Sequence, residues 1–239
     1  DEEEREFRAP AVILATGGFQ SNLDMVREFW PQEFRFPKRI LAGSGRNSLG
    51  SGHEMARQIG ADLVKMDHQW NYFTGIPDPR YPNSNRGLSA ANMHGIIVNS
   101  QAKRFANLHG WAKEVMPVLF KQDEATVWFV FDEASKPKFV ISGSDWADFN
   151  VVERLVLKNT ELVKSADTLE ELARKTGLSD ENLTETIRRY NMLVKRGVDE
   201  DFDRFGPDQS DYSNSASPKI ETPPFYAMQA FPLTRKSMG

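Results

Sequence analysis

Two glycine-bearing segments contain the residues whose types and spacing could do chemistry. In the first, an apolar run at residues 11–14 ends in Ala15, Thr16, Gly17 and Gly18. The run predicts a buried strand of a parallel sheet, and in open α/β sheets ligands bind beyond the carboxyl ends of the strands. Glycines lack a Cβ atom, so the backbone can approach a bulky ligand closely. The segment is a candidate ligand contact, although a buried strand that ends in an ordinary turn has the same pattern.

The second segment is Gly50, Ser51 and Gly52, which precedes helically spaced apolar residues at 53–59. Helix amino termini and bare backbone amides attract anions, so this arrangement resembles a phosphate cradle. It is not a P-loop, because no Gly-Lys-Ser/Thr follows, and no GxGxxG follows a strand. The two segments together indicate contact with a cofactor or another phosphate-bearing ligand.

Metal and thiol chemistry find no support in the sequence. The chain contains no cysteine, which excludes disulfides and thiolate metal sites and favours a reducing compartment. Its four histidines, His53, His68, His94 and His109, share no metal-ligand spacing. No metal cofactor is therefore predicted.

Composition limits the classes of partner. With 30 basic and 34 acidic residues the net charge is −4, and without a basic cluster a nucleic-acid binder is disfavoured. No stretch approaches the roughly 18 apolar residues that span a bilayer, so no membrane partner is predicted. Residues 1–6 are acidic and polar, unlike a secretory signal, and a cytoplasmic protein is predicted. An opening strand without a preceding partner predicts a fragment of a longer protein.

Apolar periodicity and capping residues predict the elements between these segments. Thr168 and Glu171 form a capping box, and Gly177 closes the short helix that they open. Other helices are predicted at residues 22–30, 53–59, 111–121 and 180–196. Strands are predicted at residues 62–66, 126–131 and 225–231, a hairpin at 95–107, and loops at 72–86 and 199–218.

In order along the chain, several groups of residues resemble a known family. The groups are residues 14–19 with Asn22 and Met25, residues 50–52 with 55–56 and 60–61, residues 97–99 with 104–107, and residues 168–173, 190–191, 223–227 and 233–239. This series resembles the fumarate reductase/succinate dehydrogenase flavoprotein-like family of FAD-dependent oxidoreductases, which includes 3-ketosteroid dehydrogenases. The resemblance covers nearly the whole chain, and it rests on the number, order and spacing of the groups.

The resemblance implies a fold that is α/β plus α+β: part of a Rossmann-like FAD-binding domain with an inserted mixed α/β capping domain. It assigns residues 1–70 and 219–239 to the FAD domain and residues 71–218 to the cap. The family's GxGxxG for the FAD pyrophosphate does not occur in the chain, so we expect no turnover by residues 1–239 alone. The flavin contacts implied for the FAD cofactor are Ala15, Thr16, Gly17 and Gly18, and then Gly50, Ser51 and Gly52.

The resemblance also locates positions for catalysis, and this chain departs from the family there. Fumarate reductases carry a proton-donating arginine where this chain has Ala112, and their Thr-Glu-x-x-Arg relay is replaced by residues 87–91. Without these groups, fumarate reductase proper is disfavoured. Tyr72 and Lys236 stand where fumarate reductases have substrate-binding histidines, and His109 is a candidate general acid.

Each of these candidates has a structural alternative. Tyr72 could instead pack among neighbouring aromatic residues with a purely structural role. Lys236 could be a solvated lysine at a domain edge. His109 and His68 could be hydrogen-bonded structural histidines. Arg104 is predicted to pair with a carboxylate.

The function implied is transfer of a hydride between a substrate C–C bond and flavin N5. A neutral enone or ketone such as a 3-ketosteroid is the predicted small-molecule substrate, because aromatic residues outnumber cations near the inferred pocket. Two alternatives stay open: a reductase of a small unsaturated carboxylate anchored by Lys236 and Arg235, and a non-catalytic binding module that kept the cap fold. The electron partner and the direction of reaction are left open.

Overall fold

One β-sheet organises the chain. The computed structural model describes residues 6–205, 218–236 and 238. Its strands are β1 (Leu41–Ala42), β2 (Asn71–Pro77), β3 (Gly87–Asn92), β4 (Ile96–Val98), β5 (Val127–Asp132), β6 (Phe139–Ile141), β7 (Val163–Ala166) and β8 (Phe225–Thr234). Among the described residues the strands lie in the order β4-β5-β8-β2-β3-β6, and β1 and β7 also pair with β8. The sheet is mostly antiparallel, so the fold is mixed α/β.

β8 joins the parts of the sheet, because different strands pair with its two halves. Its first half is antiparallel to β5, from Phe225 opposite Asp132 to Ala230 opposite Val127, and to β7. Its end pairs antiparallel with β2 and parallel with β1. Eight of its ten residues are buried, as is typical of a strand with neighbours at both edges.

The helices begin and end largely where capping residues predict. They are α1 (Leu23–Glu28), α2 (Ser51–Gln58), α3 (Ala112–Phe120), α4 (Phe149–Val152), α5 (Leu169–Thr176) and α6 (Asp180–Arg196), with a π-helical turn at Glu153–Leu157 and 3-10 turns at Lys136–Lys138 and Ser144–Trp146. Thr168 Oγ1 accepts a hydrogen bond from Glu171 N, and Gly177 and Gly197 end α5 and α6 at φ +74° and +72°. Both of these helix predictions are confirmed.

Two hydrophobic clusters cover opposite sides of the central strands. Along β5, Phe129 and Phe131 belong to the cluster that includes α3 and α4 residues, whereas Val130 belongs to the cluster with α5 and α6. This alternation follows from the period of two in a strand. Helices α5 and α6 thus pack against one face of the sheet, and α3 packs against the other.

Three of the predicted elements are wrong. Residues 11–16 form no strand, and Val12 and Ile13 are 79% and 91% exposed, because no described strand pairs with them. Residues 62–66 are likewise irregular. The predicted loop at 72–86 is wrong at its start, where β2 extends from Asn71 to Pro77.

Two further predictions are corrected in part. The hairpin at 95–107 reduces to β4 and a single bridge between Val98 and Arg104. The loop predicted at 199–218 is partly packed into the fold, since Asp199 and Arg204 are buried. Its residues 206–217 lie outside the described part of the chain.

Candidate functional site

The first glycine segment, residues 15–18, is open on one side and packed on the other. Ala15, Thr16 and Gly17 are exposed, and a Cβ atom added at Gly17 would have only Ser48 Oγ nearby, at 3.7 Å. A Cβ atom added at Gly18 would lie 2.4 Å from Met238 O and 2.5 Å from Met238 N. Gly18 therefore lets the chain near its carboxyl end touch this segment.

The second glycine segment contacts the first. A Cβ atom added at Gly52 would lie 1.8 Å from Thr16 Oγ1, so only glycine fits there without a shift. Gly50, at φ +84°, precedes α2, and no side chain caps that helix. The first amides of α2 are therefore available as donors beside Thr16. The structure brings the two predicted cofactor-binding segments together.

The end of β8 is fixed to the same region. Thr234 Oγ1 donates a hydrogen bond of 2.6 Å to Gln20 O, and Ser44 Oγ donates to Arg235 O. Lys236 is exposed and lies two residues before Met238, which packs against Phe19 and its neighbours. Lys236 thus belongs to the segment that contacts Gly18.

Tyr72 comes to this end of β8 from the neighbouring strand. It is half-buried and stands opposite Leu233 in the β2–β8 pair. The Arg235 guanidinium lies 5.9 Å from the centre of its ring, and the Trp70 ring lies 6.5 Å away. Phe73 instead stacks on a core phenylalanine, because successive residues of a strand face opposite sides. Tyr72 thus lies beside Arg235, the residue before Lys236, and the catalytic roles of Tyr72 and Lys236 remain predictions.

His109 lies in a separate buried cluster. Its Nε2 atom is 2.9 Å from Met93 O and 3.3 Å from Arg204 Nη2. Burial, followed by the charge of Arg204 and that of nearby His94, lowers the pKa of His109 to about 4. The imidazole is neutral at pH 7, and its Nε2 atom faces Met93 O and Arg204. Its role as a general acid remains a prediction.

The lowered pKa of His109 predicts that the fold becomes less stable in acid. The pKa of His109 is 6.5 in the unfolded chain and about 4 in the fold, so unfolding takes up a proton between these pH values. The contribution of His109 to the free energy of unfolding is fully present above pH 6.5. It falls by up to about 3 kcal/mol as the pH decreases to 4. His109→Gln should flatten this dependence in urea unfolding at pH 7, 5.5 and 4.5. His68→Gln, at an exposed position, is the control; an unchanged slope in His109→Gln would contradict the assignment.

Two cavities lie near the end of β8. The larger, of about 620 Å³, opens beside the loop at residues 42–46. The smaller, of about 230 Å³, lies between the start of β2 and α3, and it is lined by Asn71, Trp70 and Lys113 among others.

Among the described residues no three His, Cys, Asp or Glu side chains are grouped as a metal site. The predicted ion pair of Arg104 is confirmed, with Asp199 at 2.5 Å.

The sequence also matches a family of known proteins. The model of the FAD binding domain family matches residues 1–239. The chain belongs to this family. FAD is thus the cofactor that the family binds, and the resemblance drawn from the motifs is confirmed. No helix among the described residues is both long and apolar enough to cross a bilayer.

Curated relatives of this chain are oxidoreductases. NADH:acrylate oxidoreductase of Vibrio harveyi is 27% identical over 228 residues, which are 95% of this chain and 21% of that protein. A 3-oxosteroid 1-dehydrogenase of Mycobacterium tuberculosis is 30% identical over 246 residues, covering 92% of this chain and 41% of that protein. The chain thus spans less than half the length of these relatives.

A solved structure shares the fold. The 3-ketosteroid delta1-dehydrogenase of Sterolibacterium denitrificans aligns with a TM-score of 0.73 at 21% identity, covering 93% of this chain and 41% of that one. At that identity the likeness concerns the fold alone. It agrees with the mixed α/β architecture around β8.

The residues present fit FAD in three respects. Gly17 offers an open backbone surface, and the first amides of α2 are uncapped. Gln20 is 5% exposed, and its Oε1 atom has no hydrogen-bond partner among the described residues. FAD carries N–H and hydroxyl donors that such an acceptor needs. Gln20 was not among the predicted site residues, although a polar residue so soon after two glycines was a usable signal.

Proposed function

We propose that this chain supplies part of the FAD site and of the substrate pocket of an oxidoreductase. The reaction is transfer of a hydride between a substrate C–C bond and flavin N5. One observation carries the proposal: the segment at residues 15–18, the start of α2 and the end of β8 meet around Gly18 and Met238. When bound, FAD supplies the electron chemistry.

The chain's own residues would position the reactants. Gly17, the amides at the start of α2 and Gln20 would hold the cofactor. The Tyr72 hydroxyl would donate a hydrogen bond to a substrate oxygen or move a proton. Lys236, a cation at the edge of the same region, would attract developing negative charge. His109, buried in its own cluster, would keep the cap folded if it does not act as an acid.

The leading substrate class is an enone or ketone such as a 3-ketosteroid. The smaller cavity supports this, because Phe34, Trp70, Met116 and Phe120 supply much of its lining. Charged residues, Glu33, Asp67 and Lys113, also line it, and aromatic walls with a few polar groups are typical of sites for organic ligands. The 3-oxosteroid 1-dehydrogenase relative supports the same class.

A small unsaturated carboxylate is the second candidate. Arg235 and Lys236 are adjacent cations at the end of β8, and Arg235 lies over the ring of Tyr72. The acrylate oxidoreductase relative supports this class. A non-catalytic binding module remains the third candidate, since Ala112 replaces the family's proton donor. A panel of enones and unsaturated acids, with flavin bleaching or reoxidation recorded anaerobically, would choose between the two enzymes.

The domain division is part of the proposal. Residues 1–70 and 219–239 would belong to the Rossmann-like FAD domain, and residues 71–218 to the cap. The two clusters on either side of β5 draw most of their residues from 71–218, and Ile220 and β8 residues complete them. Limited proteolysis should then cut near residue 70, and the stable piece that begins there should retain β8, because β5 and β7 pair with it.

Gly17→Ala tests the cofactor site. Gly17 and Gly177 have φ +80° and +74°, and neither would meet a close atom with a Cβ. Alanine therefore costs about 1 kcal/mol of backbone strain at either position. If FAD touches Gly17, Gly17→Ala should lower the flavin content of the purified holoprotein several-fold, whereas Gly177→Ala should leave it unchanged. Equal flavin content in both variants would refute the assignment.

A further inference from the structure

Asn71 is a buried carboxamide whose side-chain oxygen is unpaired. It begins β2 and is 5% exposed, and its Oδ1 atom has no hydrogen-bond partner among the described residues. Burying an unpaired amide costs free energy, and buried polar groups of native proteins normally have a partner. An amide oxygen only accepts hydrogen bonds, so the missing partner is a group that carries an N–H or O–H donor.

A second unpaired acceptor lines the same cavity. Asn71 and Gln69 both line the smaller cavity, of about 230 Å³. Gln69 Nε2 donates to Val26 O at 2.8 Å and to Phe29 O at 2.9 Å, and these two bonds fix the orientation of its amide. Gln69 Oε1 is therefore an acceptor, and it is buried without a partner in the described part of the chain. Two such oxygens at one cavity indicate a ligand with more than one donor hydrogen.

Acidic side chains give the lining of the cavity an excess of negative charge. Glu33 and Asp67 line it, against one lysine, Lys113. Neither carboxylate forms an ion pair with another described residue. Unpaired carboxylates attract a cation, and a cation supplies charge-assisted donors, which form the stronger hydrogen bonds. The donor that the two amide oxygens lack is therefore expected to carry positive charge.

The walls around these polar groups are aromatic. Trp70 is 45% exposed, and the Phe34 and Phe120 rings lie with their centres 5.4 Å apart. All three line the cavity. The faces of aromatic rings attract organic cations, whereas they offer no ligand atoms to a metal ion. The lining therefore suits a cation with an apolar body.

We propose that this cavity binds a small organic cation, a primary ammonium on an apolar body. The ammonium group donates to the side-chain oxygens of Asn71 and Gln69, and the aromatic walls cover the apolar body. At about 230 Å³, below the roughly 300–1,000 Å³ of sites for drug-sized ligands, the cavity fits an amine with one ring. The proposal goes beyond the proposed function, because an enone has no donor for these oxygens. Both ligands would use the same walls, so the cation would exclude a ketone substrate from this cavity.

Three ligands of similar size test the charge and the donors. Benzylamine is protonated at pH 7, as lysine is; benzyl alcohol keeps one neutral donor, and benzoate is an anion. Isothermal titration calorimetry on the flavin-loaded protein should show the tightest binding for benzylamine, then benzyl alcohol, then benzoate. Benzyl alcohol or benzoate that binds as tightly as benzylamine would overturn the proposal.

Variants of the charged lining residues should change benzylamine affinity in opposite directions. Glu33→Gln and Asp67→Asn should each weaken binding several-fold, because each removes an attraction. Lys113→Gln should strengthen it, because it removes a repulsion. Glu161→Gln is the control, since Glu161 is exposed and lies outside the lining of the cavity, and it should change nothing. Weaker binding in Lys113→Gln, or losses in the two acidic variants no larger than in the control, would contradict the site.

Asn71→Leu separates binding from folding. It should weaken benzylamine binding about tenfold, as expected for one lost hydrogen bond to a charged group. Its Tm should stay equal or rise, because an unpaired amide is replaced by an apolar group of similar size. Calorimetry and thermal unfolding of the same samples measure the two effects.

Asn92→Leu is the matched control. Asn92 is fully buried, and both ends of its amide are bonded, to Ser135 O at 2.8 Å and to His94 N at 3.0 Å. It should lose Tm and keep benzylamine affinity. Unchanged affinity in Asn71→Leu, or a Tm loss as large as in Asn92→Leu, would refute the role of Asn71.

The binding experiments distinguish this proposal from the proposed function. Benzylamine binding is measured without turnover, so its failure leaves the hydride transfer untouched. Benzylamine binding that depends on Asn71, Glu33 and Asp67 supports this site even if no substrate bleaches or reoxidises the flavin, a result that would refute only the oxidoreductase.

Discussion

Gly18→Ala is expected to separate the segment around Met238 from the first glycine segment and to lower the free energy of unfolding by about 1–3 kcal/mol. The added Cβ atom would lie within 2.5 Å of two backbone atoms of Met238. Backbone cannot rotate away as a side chain can, so the chain itself must shift. Because Lys236 belongs to the shifted segment, flavin content should fall together with stability.

Gly60→Ala provides the control for this prediction. Gly60 has φ +81°, and a Cβ atom there meets nothing within 4 Å. Alanine at this position costs backbone strain without a clash, so stability should fall by about 1 kcal/mol while flavin content stays normal. Urea unfolding and the ratio of flavin to protein absorbance measure both. Normal flavin content in Gly18→Ala would show that the contact with Met238 does not shape the cofactor site.

Asp132→Ala is expected to destabilise the fold by about 3–5 kcal/mol. Asp132 is fully buried at the end of β5. Its Oδ1 atom accepts from Ser135 N and Oγ at 3.0 and 2.6 Å, and its Oδ2 atom from Glu221 N and Thr222 N at 3.0 and 2.9 Å. Removing the carboxylate leaves four donors without an acceptor just before β8 begins.

A helix-capping aspartate sets the scale for this loss. Asp148 is exposed and accepts from Asn150 N at the start of α4, so Asp148→Ala should cost about 1 kcal/mol. The midpoint of urea unfolding compares the two variants. Equal losses would mean that water replaces the carboxylate of Asp132, which would contradict its burial.

Local signals in the sequence predicted helices α5 and α6 well. The Thr168 box and Gly177 enclose α5, and the apolar spacing from Leu183 to Val194 predicts α6 with its observed ends. Helix caps and the helical spacing of apolar residues depend on residues within one or two turns, so the signals that predict a helix are local.

Strands were predicted less well, because their partners are distant in sequence. β2 was missed since Gly75, Pro77 and Pro79 have the composition of a loop. Gly75 is needed there because β8 approaches closely: a Cβ atom would lie 2.6 Å from Phe231 O. Conversely, the apolar run at 11–14 was predicted as a buried strand, but no described strand pairs with it.

Motifs in the sequence were enough to identify the family and its cofactor, to locate helices α5 and α6, and to mark the two glycine segments as candidate contacts. The contacts of Gly52 with Thr16, of Gly18 with Met238 and of His109 with Arg204 arise only in the folded chain. Folding also buries the side-chain oxygen of Asn71, which has no hydrogen-bond partner among the described residues. Motifs and caps depend on neighbouring residues, whereas these contacts arise when β8 brings distant parts of the chain into one sheet.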